Sequence, residues 1–105
     1  SVRLALFLGM LNGQKILAAD ISSAYLMANT KEKMYTRLGP EFDKWAGKQA
    51  IIKKALYGLI GSCAQFHRHL CEELGKQGFV PSKADPDLWM RRADDCYEFV
   101  AKYID

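Results

Sequence analysis

The distribution of apolar residues predicts one clear amphipathic helix in the second half of the chain. Over residues 62–77 the apolar positions recur three or four residues apart, which is the spacing of one helix face. That face is formed by Cys63, Phe66, Leu70 and Leu74. Gly78 follows directly, and Phe79 beyond it can fold back onto the last apolar residue of the face, as in a Schellman cap. We therefore predict a helix that ends at Gly78.

Other apolar runs predict a second helix and several short strands. Residues 2–11 are apolar on nearly every face and precede Asn12-Gly13, a pair typical of helix ends, so we expect a short buried helix. Residues 31–33, Lys-Glu-Lys, indicate a solvated bend. Apolar or alternating stretches predict strands at residues 16–19, 34–38, 50–55, 88–91 and 98–104. The mixture of helices and strands places the fold in the α+β class.

A carboxylate directly follows one of these predicted strands. The apolar run of residues 16–19 leads straight into Asp20, and a charge at the end of a buried strand is costly unless something pairs with it. A bound metal is one candidate partner. Asp105 also follows an apolar and aromatic stretch, so the two carboxylates converge if their strands are neighbours. Such a pair can hold the two Mg²⁺ ions of phosphoryl transfer, although aspartates at strand ends are more often turn caps or salt-bridge partners.

Composition limits the class of protein. The 105 residues are enough for one domain or a piece of one, and half of them are apolar, so the chain can fold around a core. The net charge of +3 is compatible with nucleic acid, although lysine and arginine are spread along the sequence. The apolar stretches are too short to span a bilayer. Three cysteines do not close a disulfide framework and favour a reducing compartment.

Three potential zinc ligands lie on the predicted helix. Cys63, His67 and Cys71 are each four residues apart, and a fourth ligand could come only from His69 or Cys96. The close pairing of cysteines that is usual in structural zinc sites is absent from the sequence. We therefore interpret these residues as packing or half-exposed helix positions.

Two tyrosines have both a structural and a functional interpretation. Tyr25, five residues after Asp20, is either a core aromatic or a flat wall beside a bound nucleotide sugar. Tyr57 precedes Gly58, a pair that is common in turns but also suits a backbone that approaches a ligand closely. Composition does not choose between these roles.

Five sequence blocks occur in a characteristic order. They read ILAADISSAYL, KMYTRLGPEF, KKALYGLIGSCAQF, GFVPSKADPDLW and YEFVAKYID. Over almost the whole chain, this order resembles the reverse transcriptase of copia-type long-terminal-repeat retrotransposons. The blocks of that family run D-V-x-x-A-F-L, Y-M-x-x-P-x-G-F, K-x-L-Y-G-L-K-Q-S-P-R-x-W, G-F-x-x-S-x-A-D-P-x-L-[FYW] and Y-V-D-D. The LYGL and ADP-x-L-W blocks carry most weight, because neither is generic to polymerases.

The resemblance implies a partial right-hand polymerase over residues 1–105, with much of the palm, part of the fingers and an antiparallel sheet packed with helices. Asp20 matches the first metal-binding aspartate of the family, and the backbone carbonyl of Ile21 also faces the metal in such a site. Asp105 matches the first aspartate of the Y-x-D-D pair. The implied cofactor is Mg²⁺, with Mn²⁺ as an alternative.

The same resemblance implies roles around the nucleotide and the primer. It implies nucleotide-binding roles for Ser22, Ser23, Ala24, Tyr25, Tyr57 and Gly58, and a primer-side role for Tyr103. In this family the aromatic that Tyr25 matches screens the sugar 2′ position and so favours deoxynucleotides. The chain departs from the family pattern after Gly58, where Ile60 and Ala64 replace a usual lysine and arginine. Two basic residues are thereby lost near the proposed template-side turn.

The implied function is that of an RNA-directed DNA polymerase, in which a primer 3′-hydroxyl attacks the α-phosphate of a deoxynucleotide. The implied partners are an RNA or DNA template–primer, deoxynucleoside triphosphates, and the rest of the Pol polyprotein with its thumb and ribonuclease H, with no membrane. A virus-like particle in the cytoplasm is the implied location. Because the chain begins on a predicted helix and stops on a predicted strand, we interpret it as a fragment and expect no polymerisation by the fragment alone.

Two other functions stay open at this point. One is a non-catalytic nucleic-acid-binding remnant, for which salt-dependent template–primer binding without Mg²⁺-dependent nucleotide binding is expected. The other is a structural α+β module whose aspartates only cap turns and which does not respond to a divalent metal.

Overall fold

The computed structural model describes residues 1–104, and the chain divides into two units. Unit 1 contains Ser1–Ile21 and the chain from Leu70 onward, and unit 2 contains Ser22–His69. The elements in chain order are α1 (Val2–Leu11), a first 3₁₀ helix (Ala24–Met27), β1 (Asn29–Arg37), a second 3₁₀ helix (Pro40–Trp45), β2 (Gln49–Lys54), α2 (Ser62–Lys76), β3 (Val80–Pro81), β4 (Leu88–Ala93) and β5 (Cys96–Ala101). Helices combined with antiparallel strands confirm the predicted α+β class. Within residues 1–104, no helix has both the length and the apolar character needed to cross a membrane.

Unit 1 is built on a three-stranded antiparallel sheet in the order β3-β4-β5. β4 and β5 form a hairpin in which Ala93 lies opposite Cys96 across the two-residue turn Asp94-Asp95. The predicted pair of strands is therefore confirmed, although β5 ends at Ala101 and not at residue 104. The sequence pattern does not predict β3, which is only two residues long. In this order, β3 and β5 are the edge strands, and each has one edge that pairs with no other strand within residues 1–104.

The second α-helix ends in the predicted Schellman motif. The Gly78 N–H donates to the carbonyl of Gly75, and the Phe79 N–H donates to that of Leu74, both at 3.0 Å. Gly78 has a φ of +86°, a left-handed conformation that glycine adopts without steric cost. α1 ends through the same motif at Gly13. The backbone conformation therefore explains why glycine follows both helices.

The predicted strand before Asp20 does not form, so that prediction was wrong. Residues 14–21 belong to no helix or strand, and the Leu17 side chain is 96% exposed. An apolar run becomes a strand only when a neighbouring strand accepts its backbone hydrogen bonds. Neither of the two sheets in residues 1–104 includes this segment.

Two further expectations were wrong for related reasons. α1 forms where it was predicted, but it is not a buried helix, because only Gly9 is buried and Phe7 and Met10 are exposed. A helix that is apolar on all sides needs cover on all sides, and residues 1–104 leave much of this one open to solvent. Residues 31–33, expected as a bend, lie inside β1.

In unit 2, β1 and β2 form a second antiparallel hairpin. Met34 lies opposite Ile52, and the register is irregular between Asn29 and Met34. At the end of the hairpin where β2 stops and β1 begins, the Ala55 N–H donates to the carbonyl of Ala28 at 3.0 Å. Both alanines are buried. This hydrogen bond joins the end of β2 to the residue that follows the first 3₁₀ helix, so it fixes where that short helix lies within the unit.

The end of α2 allows a matched test with two glycines. Gly75 is helical, and a Cβ added there meets no atom within 4 Å. We predict that Gly75→Ala raises the free energy of unfolding by about 0.5–1 kcal/mol, because alanine loses less backbone entropy in a helix than glycine. Gly78→Ala should lower it by about 1–2 kcal/mol, because alanine is strained at positive φ. Urea denaturation of both variants measures the difference, and equal effects would contradict the Schellman assignment.

A turn before β4 provides a test of pH dependence. Asp85 Oδ1 accepts the N–H of Asp87 at 3.0 Å, and this hydrogen bond, together with the adjacent amine of Ser1, lowers the pKa of the Asp85 carboxyl. The pKa of Asp85 in the folded chain therefore lies below its value of about 3.9 in the unfolded chain. At any pH above this unfolded value, the ionised Asp85 carboxylate stabilises the fold. The contribution is lost as the pH falls through the folded pKa.

We therefore predict that Asp85→Asn unfolds at lower urea concentration than the unmodified chain at pH 7. The difference should vanish at a pH well below the folded pKa, where the Asp85 carboxyl is protonated. A difference that stays constant from pH 7 to pH 2 would show that the charge of Asp85 does not stabilise this turn.

Candidate functional site

A groove of about 670 Å³ lies on unit 1. One of its walls is a face of α1 with Gly9, a second is the irregular segment 14–20, and a third is β5. Asp20 and Tyr103 both line it, although they are far apart in the sequence. The groove therefore brings together one residue of the predicted metal site and the residue predicted to lie under the primer end.

The segment that carries Asp20 starts at the open edge of β5. Gln14 Nε2 donates to the backbone carbonyl of Tyr97 at 2.5 Å. A neighbouring strand would bind this edge through its backbone N–H and carbonyl groups, whereas here a side chain makes the hydrogen bond. The segment therefore contacts β5 at Gln14 but does not form a strand of the sheet. The sequence pattern detects the apolar character of this segment but not this mode of attachment.

Asp20 itself is an exposed carboxylate. Among residues 1–104 it takes part in none of the ion pairs and side-chain hydrogen bonds. The expectation that Asp20 needs a partner because it ends a buried strand was therefore wrong: water can solvate it. Its exposure leaves the carboxylate oxygens accessible to a cation in the groove. Asp105, the second predicted metal ligand, lies outside the described residues.

Arg91 lines the groove and contacts two other residues that line it. Arg91 Nε donates to Glu98 Oε2 at 2.7 Å, its Nη1 donates to the carbonyl of Gln77 at 2.7 Å, and its guanidinium lies 4.4 Å from the ring centre of Phe79. Arg91, Glu98 and Phe79 all line the groove. Arg91 belongs to no sequence motif, and an arginine in a strand gives no sequence signal of its contacts.

In unit 2, three aromatic rings form a cluster around Tyr25. The rings of Tyr25 and Tyr57 are stacked, with centroids 4.4 Å apart and an interplanar angle of 17°. Phe66 of α2 lies against Tyr25 at 5.9 Å and a 42° tilt. Tyr25 is only 9% exposed, whereas Tyr57 is 65% exposed. Tyr25 thus packs as a core aromatic, and the free face of Tyr57 is the larger aromatic surface that this cluster offers to a ligand.

The backbone around this cluster contains residues with positive φ. Ser23 has a φ of 52° and precedes the first 3₁₀ helix, where its carbonyl accepts the N–H of Leu26 at 3.0 Å. Gly58 has a φ of +89° at the third position of a turn in which the Leu59 N–H donates to Leu56. Glycine meets this requirement without strain. Ser22 and Ser23 are exposed, as the predicted contact with a triphosphate requires.

The predicted site residues therefore fall into two groups. Asp20, Ile21 and Tyr103 belong to unit 1, and the residues expected at the nucleotide, Ser22, Ser23, Ala24, Tyr25, Tyr57 and Gly58, belong to unit 2. In the sequence, Phe66 is recognisable only as part of an apolar helix face. The 3.6-residue spacing of that face predicts that Phe66 is buried, but no sequence signal predicts that Phe66 packs on Tyr25.

The described residues contain no ready-made metal cluster. Within residues 1–104, no three His, Cys, Asp or Glu side chains are grouped so that they could hold an ion. The cysteines considered for zinc form no disulfide within residues 1–104, and Cys63 and Cys96 are exposed whereas Cys71 is half-buried. Of the candidate ligands described, Asp20 is the carboxylate that lines the 670 Å³ groove, which Tyr103 also lines.

The aromatic stack yields a testable prediction for stability. We expect Tyr57→Ala to lower the free energy of unfolding by about 0.5–1.5 kcal/mol from the lost ring pair alone, beyond the effect of lost buried area. Tyr57→Phe keeps the ring and should change stability little. Tyr35→Ala is the matched control, because Tyr35 is similarly exposed but belongs to no ring pair. Urea denaturation should show the larger loss for Tyr57→Ala, and a larger loss at Tyr35 would contradict the stack.

Comparison with known proteins identifies the family. The family model described as "Reverse transcriptase (RNA-dependent DNA polymerase)" matches residues 1–105. The Transposon Ty1-BL Gag-Pol polyprotein of Saccharomyces cerevisiae is 40% identical over 73 residues, which are 70% of this chain and 4% of the relative. The Truncated transposon Ty1-A Gag-Pol polyprotein of the same yeast has the same identity over the same length, which is 6% of that relative.

The chain thus spans less than a tenth of the length of these curated relatives. No solved structure gives a significant match to it. The family model, which covers the whole chain, and the Ty1 polyproteins agree with the five sequence blocks and confirm the predicted resemblance. The chain belongs to the reverse transcriptase (RNA-dependent DNA polymerase) family and, within it, to the copia type.

Proposed function

We propose that this chain forms part of the polymerase core of an RNA-directed DNA polymerase encoded by a copia-type retrotransposon. The complete enzyme would add deoxynucleotides to a primer 3′-hydroxyl that is paired with an RNA or DNA template. The observation that carries this proposal is the groove on unit 1, which Asp20 and Tyr103 line together. In the sequence, Tyr103 precedes Asp105, the second predicted ligand, by two residues.

The chemistry of Asp20 fits a hard divalent cation. Its carboxylate is exposed and has no cationic side chain as an ion-pair partner within residues 1–104. Mg²⁺ prefers such oxygen ligands and retains several waters, so it needs few protein donors. Asp20, the backbone carbonyl of Ile21 and Asp105 would hold Mg²⁺, or Mn²⁺ in its place. When bound, the metal supplies positive charge against the charge that develops on the phosphate oxygens.

The protein residues would bind and orient the substrates. The exposed hydroxyls of Ser22 and Ser23 with Ala24 would line the triphosphate, and Tyr25 would limit the space at the sugar 2′ position. Tyr57 covers one face of Tyr25 and holds that ring in place. Gly58 would allow the template-side turn to approach the nucleotide, and Tyr103 would support the primer end. These contacts would act by positioning the 3′-hydroxyl and the α-phosphate for in-line attack.

The other partners follow from the same proposal. A polymerase of this kind acts on a template–primer and deoxynucleoside triphosphates, and its thumb and ribonuclease H would come from the rest of the Pol polyprotein. We propose a virus-like particle in the cytoplasm as the place of action and no association with a membrane.

The test is an Asp20 substitution in the full-length polymerase. We predict that Asp20→Asn lowers primer extension at least 100-fold with Mg²⁺, because an amide is a much weaker ligand for Mg²⁺ than a carboxylate. Binding of the template–primer in EDTA should change less than twofold. Primer-extension assays and circular dichroism measure the loss and show that the fold is intact.

The control for this test is Asp94→Asn, which makes the same chemical change in the exposed turn between β4 and β5. Its extension rate should stay within about twofold of the unmodified enzyme. Near-normal extension by Asp20→Asn would remove Asp20 from the metal site and would leave the polymerase assignment of the groove without support.

A further inference from the structure

A lysine is buried directly after β5. Among residues 1–104, Lys102 is the one charged residue that is buried, and only 4% of its side chain is exposed. Moving an ammonium group out of water is costly unless other groups take over its solvation. The burial of Lys102 therefore indicates that neighbouring groups hold its charge in a fixed place.

Asp87 contacts Lys102 at two points. The Lys102 N–H donates to the backbone carbonyl of Asp87 at 3.0 Å, and the Lys102 ammonium group lies 3.3 Å from Asp87 Oδ1. The ammonium group also lies 6.0 Å from the ring centre of Trp89, and an aromatic face attracts a cation. One residue thus fixes both the backbone and the far end of the Lys102 side chain.

The turn that carries Asp87 is itself held by hydrogen bonds. The Asp87 N–H donates to Asp85 Oδ1 at 3.0 Å, and Trp89 Nε1 donates to the carbonyl of Pro86 at 3.1 Å. Trp89 is buried, so its ring is fixed by packing as well. The turn therefore gives Lys102 a rigid support.

This contact lies where the sheet ends. The last pair in the register of β4 and β5 is Leu88 with Ala101. Opposite residues of a hydrogen-bonded antiparallel pair exchange two N–H···O bonds. At the next position only one of them forms, because the Asp87 N–H donates to Asp85 instead. Beyond Ala101, the ion pair with Asp87 thus takes the place of the missing backbone hydrogen bond.

Lys102 and the groove lie on opposite sides of the chain. Phe99, Ala101 and Tyr103 line the groove, whereas Val100 and Lys102 do not. Successive side chains of an extended chain point to opposite sides, so a contact that fixes Lys102 away from the groove directs Tyr103 toward it. Tyr103 is 80% exposed, so its own burial contributes little to holding it there.

Stability alone does not account for a charged pair at this position. Replacement of a buried ion pair by apolar residues of similar volume is often neutral or stabilising. An ion pair differs from an apolar contact in its preferred geometry, because the donor and the acceptor must meet. The pair of Lys102 with Asp87 is therefore better suited to orienting the chain than to strengthening the fold.

We propose that Asp87 and Lys102 are positioning residues of the polymerase. They hold Tyr103 on the wall of the groove and thereby set the path of the chain toward Asp105, the second candidate metal ligand. Their side chains act through Tyr103 and Asp105 and need no contact with substrate. This inference rests on the proposed function, since it assigns two further residues to the same site.

The first measurement is hydrogen–deuterium exchange of the full-length polymerase, read by mass spectrometry from peptides that contain residues 102–104. Asp87→Asn removes the charge that pairs with Lys102 and keeps the backbone carbonyl of the turn. We expect the amides of residues 102–104 to exchange about tenfold faster or more, because local opening becomes more frequent when the ion pair is lost. This measurement needs neither metal nor substrate.

The second measurement is the Mg²⁺ dependence of primer extension by the same Asp87→Asn enzyme. We expect the Mg²⁺ concentration for half-maximal extension to rise about three- to tenfold, because metal ligands that are less well oriented bind more weakly. Binding of the template–primer in EDTA should stay within about twofold. A purely structural loss lowers the amount of folded enzyme and thus the maximal rate, but it leaves the half-maximal Mg²⁺ concentration unchanged.

Two variants of the same unit serve as controls. Glu73→Gln breaks the exposed ion pair with Lys76, and Gly78→Ala lowers stability at the end of α2. Both should leave the half-maximal Mg²⁺ concentration within about twofold. Asp87→Glu keeps a carboxylate and should restore both readouts. If circular dichroism shows that Asp87→Asn is unfolded, the double variant Asp87→Asn, Lys102→Met replaces it, because that variant leaves no buried charge unpaired.

Three results would overturn the proposal. Unchanged exchange at residues 102–104 in Asp87→Asn would show that the ion pair does not hold this part of the chain. Faster exchange with an unchanged Mg²⁺ dependence would reduce the pair to a structural contact. An equal shift of the Mg²⁺ dependence in Glu73→Gln or Gly78→Ala would assign the effect to a general loss of stability.

Failure here is distinguishable from failure of the proposed function. If Asp20→Asn stops extension and Asp87→Asn changes nothing, the metal site stands and only the positioning role falls. If Asp20→Asn extends primers almost normally, the proposed function falls and the positioning role falls with it, whereas the exchange measurement still shows whether Asp87 holds the chain at Tyr103.

Discussion

Packing of Tyr25 between Tyr57 and Phe66 is the interaction on which unit 2 depends. It joins the first 3₁₀ helix to the glycine turn after β2 and to the start of α2, two neighbouring segments that lie much later in the sequence. Stacked and tilted ring pairs add to the free energy of burial, so one side chain stabilises the positions of three segments. The same ring is the proposed limit on the nucleotide sugar. Removal of this ring would disturb the core, so the structural role of Tyr25 and its proposed functional role fall on the same residue.

Unit 1 depends on a different constraint, the open edge of β5. The segment that carries Asp20 is apolar enough for a strand but bonds to this edge through the Gln14 side chain and not through a backbone ladder. A groove therefore remains between α1, this segment and β5. Asp20 lines this groove and belongs to a segment without regular secondary structure. The exposed apolar residues of α1 and of this segment, such as Phe7 and Leu17, form surface that residues 1–104 do not cover. Exposed apolar surface of this kind is typical of contacts with further protein.

The two units differ in net charge, and the proposed metal site lies on the acidic one. Unit 2 contains eight lysines and arginines against three aspartates and glutamates, whereas the remainder of the chain contains seven against nine. A carboxylate that is to bind a divalent cation benefits from a surrounding that is not strongly basic. Ile60 and Ala64 stand where the resemblance leads one to expect basic residues after Gly58.

The amino-acid sequence is enough to predict the family, the α+β class and the elements whose signals are local. The 3.6-residue repeat and Gly78 specify α2 and its cap, and the two-residue alternation indicates β5, because these features depend on neighbours along the chain. Tertiary structure decided the rest. Whether residues 16–19 become a strand depends on a pairing partner, whether α1 is buried depends on what covers it, and which charges remain unpaired depends on contacts between distant residues. Five sequence blocks can therefore identify Asp20 as a candidate ligand. Its exposure, its place in the groove with Tyr103 and the pairing of Lys102 with Asp87 follow only from how distant segments pack, since those contacts leave no periodic trace in the sequence.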